Sequence, residues 1–336
     1  MRTPQTFQEI DMRIQATFVT ALVAAALAAA LPLPAAAQAA TSPPAAKSAV
    51  HQKTFASPEA AAEALVDAAK AGNVDALLAV VGPGASSWLF SGDPVADRND
   101  WAKFTSSYDQ KKSFEAKGDT PTILVVGNDD WPFPAPLVKK GATWSFDASA
   151  GREEIVNRRV GRNELDTMQT LLAIVDAQRE YAASDADGNG FADYARRFRS
   201  SEGKRDGLYW PAEAGKPESP LGPLVAVAAK EGYEAKPRTQ APPEGPRQAY
   251  HGYQYKIITS QGSHAHGGAY DYMVGDKLLG GFAVVAWPAS YGASGVMTFI
   301  VNHDGVIYEK DLGTRTASQA SSMTRFDPDA TWRKAE

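Results

Sequence analysis

The chain has 336 residues, 44% of them hydrophobic, enough to bury a sizeable core in two domains of ordinary size. Its 34 basic and 39 acidic residues give a net charge of -5 with no Lys/Arg-dense stripe, which excludes the run of phosphate contacts that nucleic-acid binding rests on. There is no cysteine, so disulfides, thiol catalysis, Cys-ligated zinc and a lipid-bearing cysteine are excluded as well.

The first residues are built for export. A short basic lead, Met12 and Arg13, precedes an apolar run at 18–33 made almost wholly of Ala, Leu and Val, and Ala35, Ala36, Ala37 and Ala39 close it with small side chains. A signal peptidase needs that order, because its pocket accepts only small residues, and residues 1–37 are therefore read as a signal peptide cut after Ala37 or Ala39. Residues 1–11 carry Glu9 and Asp11 and do not resemble a basic lead, which leaves Met12 as an alternative start. An uncleaved anchor would need about 20 apolar residues, and Pro32 and Pro34 interrupt the run early. No stable membrane insertion is expected after cleavage, and the compartment implied is the periplasm. Residues 38–54, with Thr41-Ser42-Pro43-Pro44, have nothing to bury and are read as a disordered Pro/Ala tether.

From residue 55 the pattern is that of a folded domain. Ser57 can cap a helix that Pro58 and Glu59 open, with Ala60, Ala61, Ala64, Leu65 and Ala68 on one face. Gly72-Asn73 stops it and starts a second helix, in which Val74, Leu77, Leu78 and Val81 are expected to face inward, and a third helical stretch lies near 101–108. Strands follow at 122–126 and in an arm whose halves, Leu137-Val138 and Trp144-Ser145-Phe146, are joined across Lys139-Lys140-Gly141. Helices first and an antiparallel sheet after them give an α+β domain over 55–150, whose pattern is similar to the cone-shaped NTF2-like fold.

Residues 152–183 read as one long helix, with Gly161 as a point where it can break and with Leu165, Met168, Leu172 and Val175 as its buried face. A Gly/Pro-rich insertion at about 200–249 separates it from strands of period two, Tyr253, Tyr255, Ile257 and Tyr270, Tyr272, Val274. An apolar strand at 282–287 ends at Pro288, and 296–301 pairs with 306–308 across Asn302-His303-Asp304-Gly305. A long helix on an antiparallel sheet over 151–332 resembles the globular part of type II secretion pseudopilins, although a pilin keeps its apolar N-terminal segment continuous with that helix.

Four features can carry chemistry. Asp185, Asp187, Asn189 and Asp193, with Gly190 at the sixth position, reproduce most of a calcium loop, but Arg196 stands where the bidentate Glu would be, so any bound Ca²⁺ would be structural; the alternative is an Asp/Gly-rich turn. His264 and His266 place two imidazoles on one side of an extended segment, too few for a metal unless Asp271 or His251 joins them in space. Arg205 and Asp206 are the charged pair that, gathered with both histidines in a cleft, would favour an enzyme. Three aromatic-proline clusters, around Trp131, Trp210 and Trp287, either bind peptides or glycans when exposed or pin loops onto a sheet when buried. No G-x-S-x-G, P-loop or H-E-x-x-H motif is present.

Several longer strings carry a family resemblance: Gly-Arg-Asn-Glu-Leu at 161–165, Asp-Ala-Gln-Arg-Glu-Tyr at 176–181, Gly-Lys-Arg-Asp-Gly-Leu-Tyr-Trp-Pro at 203–211, Glu-Ser-Pro-Leu-Gly-Pro-Leu at 218–224 and Gly-Gly-Phe-Ala-Val-Val-Ala-Trp-Pro at 280–288. Over 55–332 the chain resembles the bacterial domain-of-unknown-function 2950 family. The resemblance implies an exported bacterial protein and supplies no activity, substrate or catalytic residue. The function expected is that of a non-enzymatic binding or assembly module whose partner is an envelope protein or polymer. The alternatives are a hydrolase of envelope polymers acting through carboxylates or histidines and a component of a secretion or pilus apparatus.

Overall fold

The computed structural model describes residues 51–116, 122–150, 152–233 and 249–335. The predicted leader, the tether up to residue 50 and residues 234–248 of the predicted insertion lie outside them. Ala49–Glu336 form one compact unit built around two hydrophobic cores.

The first core is made by helices that cap as their sequences require. The Ser57 hydroxyl accepts from Ala60 N–H at 3.2 Å and starts α1 (Pro58–Lys70), and Asn73 does the same for Ala76 N–H at 3.0 Å and α2 (Val74–Val81). After the short α3 (Ser86–Leu89), Asp93 caps α4 (Pro94–Gln110). Ala61, Leu65, Leu77 and Val81 point inward as expected. Val74 does not: at the first position of α2 it lies on the solvent side, 49% exposed.

Against these helices lies an antiparallel sheet, β1 (Lys112–Ala116), β2 (Thr122–Val126), β3 (Trp131–Pro132), β4 (Leu137–Lys140) and β5 (Thr143–Phe146), in the order β1-β2-β4-β5 with β3 paired to β2. The arm at 137–146 pairs as expected, but Lys139 and Lys140, read as part of the turn, belong to β4 and stand opposite Trp144 and Thr143, which leaves only Gly141 and Ala142 to turn. The chain ahead of α1 belongs to this lobe from Gln52 on. The Gln52 amide donates to Val81 O at 2.8 Å and Phe146 O at 2.7 Å, and Phe55 pairs with Trp144.

The second core lies between α5 (Arg152–Ala183) and a larger sheet. α5 runs through Gly161 without a break, and a Cβ placed on that residue would meet nothing within 4 Å. α6 (Gly222–Lys230) occupies part of the predicted insertion. Then follow β6 (Tyr253–Ile258), β7 (Ser260–Gln261), β8 (Tyr270–Asp271), β9 (Met273–Val274), β10 (Lys277–Leu278), β11 (Ala283–Pro288), β12 (Met297–Asn302), β13 (Ile307–Asp311), α7 (Thr316–Ser322) and β14 (Arg333–Lys334). The main sheet has the order β14-β13-β12-β11-β6, all antiparallel, with β11 buried along its whole length between β6 and β12. A continuous apolar run is what a strand covered on both faces requires.

The buried face of α5 differs from the expected stripe. Leu165 and Leu172 are 57% and 46% exposed, whereas Leu171, Ile174, Val175 and Tyr181 are buried together with Asn163, Thr167, Thr170 and Gln178. Polar side chains take inward positions because the surface they meet presents backbone groups that need partners. Asn163 Nδ2 donates to Ser294 O at 2.8 Å, and the Gln178 amide both donates to Ala195 O and accepts from Ala195 N–H at 2.8 Å. Of the expected stripe, Val175 and Met168 do pack on the second core, and Leu165 and Leu172 turn to solvent. Among the described residues no helix is long and apolar enough to cross a membrane.

The two cores share α5, whose Ile155 and Val156 pack on the first and whose later turns pack on the second. They are also joined through Asp93, 1% exposed. Its Oδ1 accepts from Val95 and Ala96 N–H at 3.1 and 3.2 Å, capping α4, and its Oδ2 accepts from Tyr233 O–H at 2.8 Å and Gly252 N–H at 3.0 Å.

Candidate ligand-binding site

A cavity of about 460 Å³ opens in the first lobe beside α4. Its floor is aromatic for local reasons. Trp101 and Phe104 lie three residues apart on α4 and so share a face, with ring centroids 6.1 Å apart and edge to face. The β2–β3 turn swings Trp131 back beside Val126, and Phe133 is fixed two residues on by its N–H bond to Leu124 O at 2.7 Å. Phe104 then meets Phe133 at 5.4 Å and Trp131 at 6.3 Å, and Trp88, tied through Nε1 to Ala148 O at 2.9 Å, meets Phe133 at 6.4 Å. Trp131 is 37% exposed at the rim, while Trp88, Phe104 and Phe133 are buried.

The opposite wall is basic and comes from the first turns of α5, where Arg158 and Arg162, four residues apart, rise on one face and Arg159 stands beside them. Arg162 pairs with Asp100 of α4 at 3.2 Å. Arg159 is half-buried, and its Nη1 is shut from solvent without a hydrogen-bond partner. Burial pulls its pKa down, with Asp97 and Asp100 acting against that. Asp97 is perturbed in the complementary sense: burial raises its carboxyl above the usual range although both oxygens accept from Ser91 N–H, at 3.0 and 3.1 Å. A buried carboxyl and a buried guanidinium beside aromatic rings make this cavity the candidate site.

The residues singled out in the sequence do not meet here. His264 Nδ1 lies 3.0 Å from Asp327 Oδ1 on an exposed loop, and the same carboxylate accepts from His264 N–H at 2.9 Å. His266 is exposed on that loop, whose backbone is held by Gln261 Nε2 donating to His266 O and Gly268 O, both at 2.7 Å. Arg205 lays its guanidinium over the Trp210 ring at 5.2 Å, and Asp206 accepts from Ser201 N–H at 2.7 Å with Arg197 3.6 Å away. No hydrogen bond or ion pair recorded among the described residues joins Arg205 or Asp206 to either histidine. His251 faces Asp166 and Glu231 at 3.7 and 3.6 Å, and the Asp271 carboxylate accepts from Met273 N–H, so neither completes a metal set with His264 and His266.

In the acidic loop, Asp185 accepts from Asn189 and Gly190 N–H at 2.9 and 3.0 Å. Asn189 Nδ2 bridges Asp187 at 2.7 Å and Asp193 at 2.9 Å, and its Oδ1 accepts from Phe191 N–H. Arg196, the residue in place of the bidentate Glu, donates to Asp276 O. Among the described residues no group of three or more His, Asp and Glu converges as a metal site. Of the aromatic-proline clusters, Trp210 and Trp287 are buried and pin their segments to the second core, and Trp131 alone of the three tryptophans lines the cavity.

The cavity itself had one readable trace, the three arginines at 158–162 following Ile155-Val156, a basic face where a core-packing helix needs none. It does not stand out in the sequence because its aromatic counterpart lies between 25 and 74 residues earlier in the chain. No curated protein and no solved structure matches the chain. The family model described as Protein of unknown function (DUF2950) matches residues 52–335, nearly all of the folded part, and the chain belongs to that family.

Proposed function

We propose that this protein is an exported, non-enzymatic binding module of the bacterial cell envelope and that it takes a small ligand into the cavity of its first lobe. The observation that carries the reading is the cavity: an aromatic floor facing a basic wall, with Arg159 desolvated and unsatisfied, and no nucleophile paired to a base within it. Rigid rings supply contact area at little entropic cost, and the charged wall orients whatever enters. Two further expectations belong to the same reading. The first lobe, helices over an antiparallel sheet with a cavity beside them, is taken as an NTF2-like cone. The second, a long helix on an antiparallel sheet, is taken as pseudopilin-like.

Titration with small aromatic acids is expected to quench tryptophan fluorescence in the wild type, and Trp131→Ala should weaken binding about tenfold, the loss of one well-packed aromatic contact. Unchanged affinity in Trp131→Ala would place the ligand elsewhere. Export is checked by mass: the protein recovered from the periplasm should begin after Ala37 or Ala39, and a mass that still includes Phe18 would overturn the cleavage.

The hydrolase alternative rests on the His264–Asp327 pair, which orients one imidazole as a base requires. It lacks a hydroxyl hydrogen-bonded to that ring among the described residues. For the loop at 185–193 the proposal is a structural calcium site. Binding requires the Asn189 amide to turn its oxygen inward, giving up the Phe191 N–H bond. Calcium added after chelator treatment is then expected to release heat and raise the melting temperature, and neither change would end the idea.

A further inference from the structure

Arg159 stands in the wall of the cavity with a donor that nothing in the protein answers. A guanidinium carries five N–H donors and cannot shed its charge, and leaving a buried donor unpaired is costly, more so when it is charged. Asp97 and Asp100 partly compensate its charge, and each also binds another donor. Asp100 holds Arg162 at 3.2 Å, and both oxygens of Asp97 take the Ser91 N–H. Because Nη1 is shut from solvent, it can take an acceptor from the cavity only if the half-buried guanidinium turns toward the space that Arg159 lines.

The rest of the cavity limits what that acceptor can be attached to. Phe104, Phe133 and Trp131 present ring faces and edges with centroids between 5.4 and 6.3 Å apart, a surface for a flat apolar body rather than for a chain of hydroxyls. The volume, about 460 Å³, lies in the range that encloses one small molecule and not a length of polymer. A dianion such as a phosphate monoester would meet Asp97, Asp100 and Asp129 in the same lining, whereas a carboxylate brings one charge in the flat shape that a guanidinium matches.

We infer that the ligand of this cavity is a small organic acid, one carboxylate on a ring-sized apolar body, with the carboxylate turned to Arg159 and the ring laid among Phe104, Phe133 and Trp131. The inference rests on the cavity being the ligand seat and adds the chemical class. Arg159 is then the residue that sets selectivity, and Trp131 is a wall indifferent to the ligand's charge.

The test uses the full exported chain and three probes of equal size, 2-naphthoate, 2-naphthalenemethanol and 2-naphthylmethylamine, followed by calorimetry and tryptophan quenching. The acid is expected to bind at least about tenfold more tightly than the alcohol, with the amine weakest. Arg159→Met, which keeps the apolar stem, is expected to bring the acid's affinity down to the alcohol's, and Arg159→Lys to restore part of the preference. Acid and alcohol binding equally to the wild type would overturn the chemical class and leave the seat standing. Failure of all three probes to bind would remove the seat itself. A preference that survives in Arg159→Met would overturn the role of Arg159, and the wild-type comparison decides the class even if that variant does not fold.

Discussion

Asp93→Ala is expected to lower the unfolding free energy by about 4 kcal/mol. The figure has three parts. Removing the cap of α4 costs about 1 kcal/mol, and the Tyr233 hydroxyl and Gly252 N–H, both buried at the same carboxylate, each lose a charge-assisted partner at about 1.5 kcal/mol apiece. Asp93→Asn keeps an oxygen for Val95 and Ala96 but turns an amide N–H toward Gly252 N–H, and should lose about half as much. Tyr233→Phe removes the bond to Asp93 and the longer one that the hydroxyl accepts from His251 N–H at 3.4 Å, and should cost about 2 kcal/mol. Urea unfolding with an unchanged slope measures all three. A loss below about 1 kcal/mol for Asp93→Ala would mean that this carboxylate does not hold the two cores together.

Gly252→Ala, at the residue whose N–H Asp93 accepts, is expected to cost about 3 kcal/mol by a different mechanism. Gly252 has φ +74, where an alanine Cβ crowds its own backbone, and the added carbon would stand 2.6 Å from Asn163 Nδ2 and 2.9 Å from Ser294 Cβ. Asn163 would have to leave Ser294 O, opening the contact between α5 and the loop before β12. Gly72→Ala separates the two causes. Its φ is +60 and a Cβ there meets nothing within 4 Å, so only backbone strain of about 1 kcal/mol should appear. Thermal melting of the two variants side by side reads the difference, and equal losses would mean that the close approach at Gly252 contributes nothing.

Local signals in the sequence were strong where one segment settles its own conformation. The cap-and-proline start of α1, the Asn73 restart of α2, the bounds of α5 and the β12–β13 hairpin all follow from residues within a few positions of one another. The misses have a common cause. β1, Lys-Ser-Phe-Glu-Ala, has charges that suit an edge strand and no strand pattern of its own, and it is a strand because β2 offers it a ladder. α6 was hidden among prolines and glycines, and Pro223 in its first turn is a start signal only once the helix after it is known.

The candidate site divides along the same line. Residue types that chelate or polarise, His264 and His266, Arg205 and Asp206, can be picked out of a sequence, but whether they converge depends on chain segments far apart, and here each pair is held by a different neighbour. The sequence by itself determined the α+β class, the absence of thiol chemistry and most element boundaries, because composition, capping and periodicity act over a few residues. Only the tertiary structure decided which face of α5 is buried and that the arginines at its start stand opposite the aromatic rings of α4 and β3. Those facts depend on which backbone groups and side chains meet across long separations, and burial and charge compensation at such contacts have no local signature.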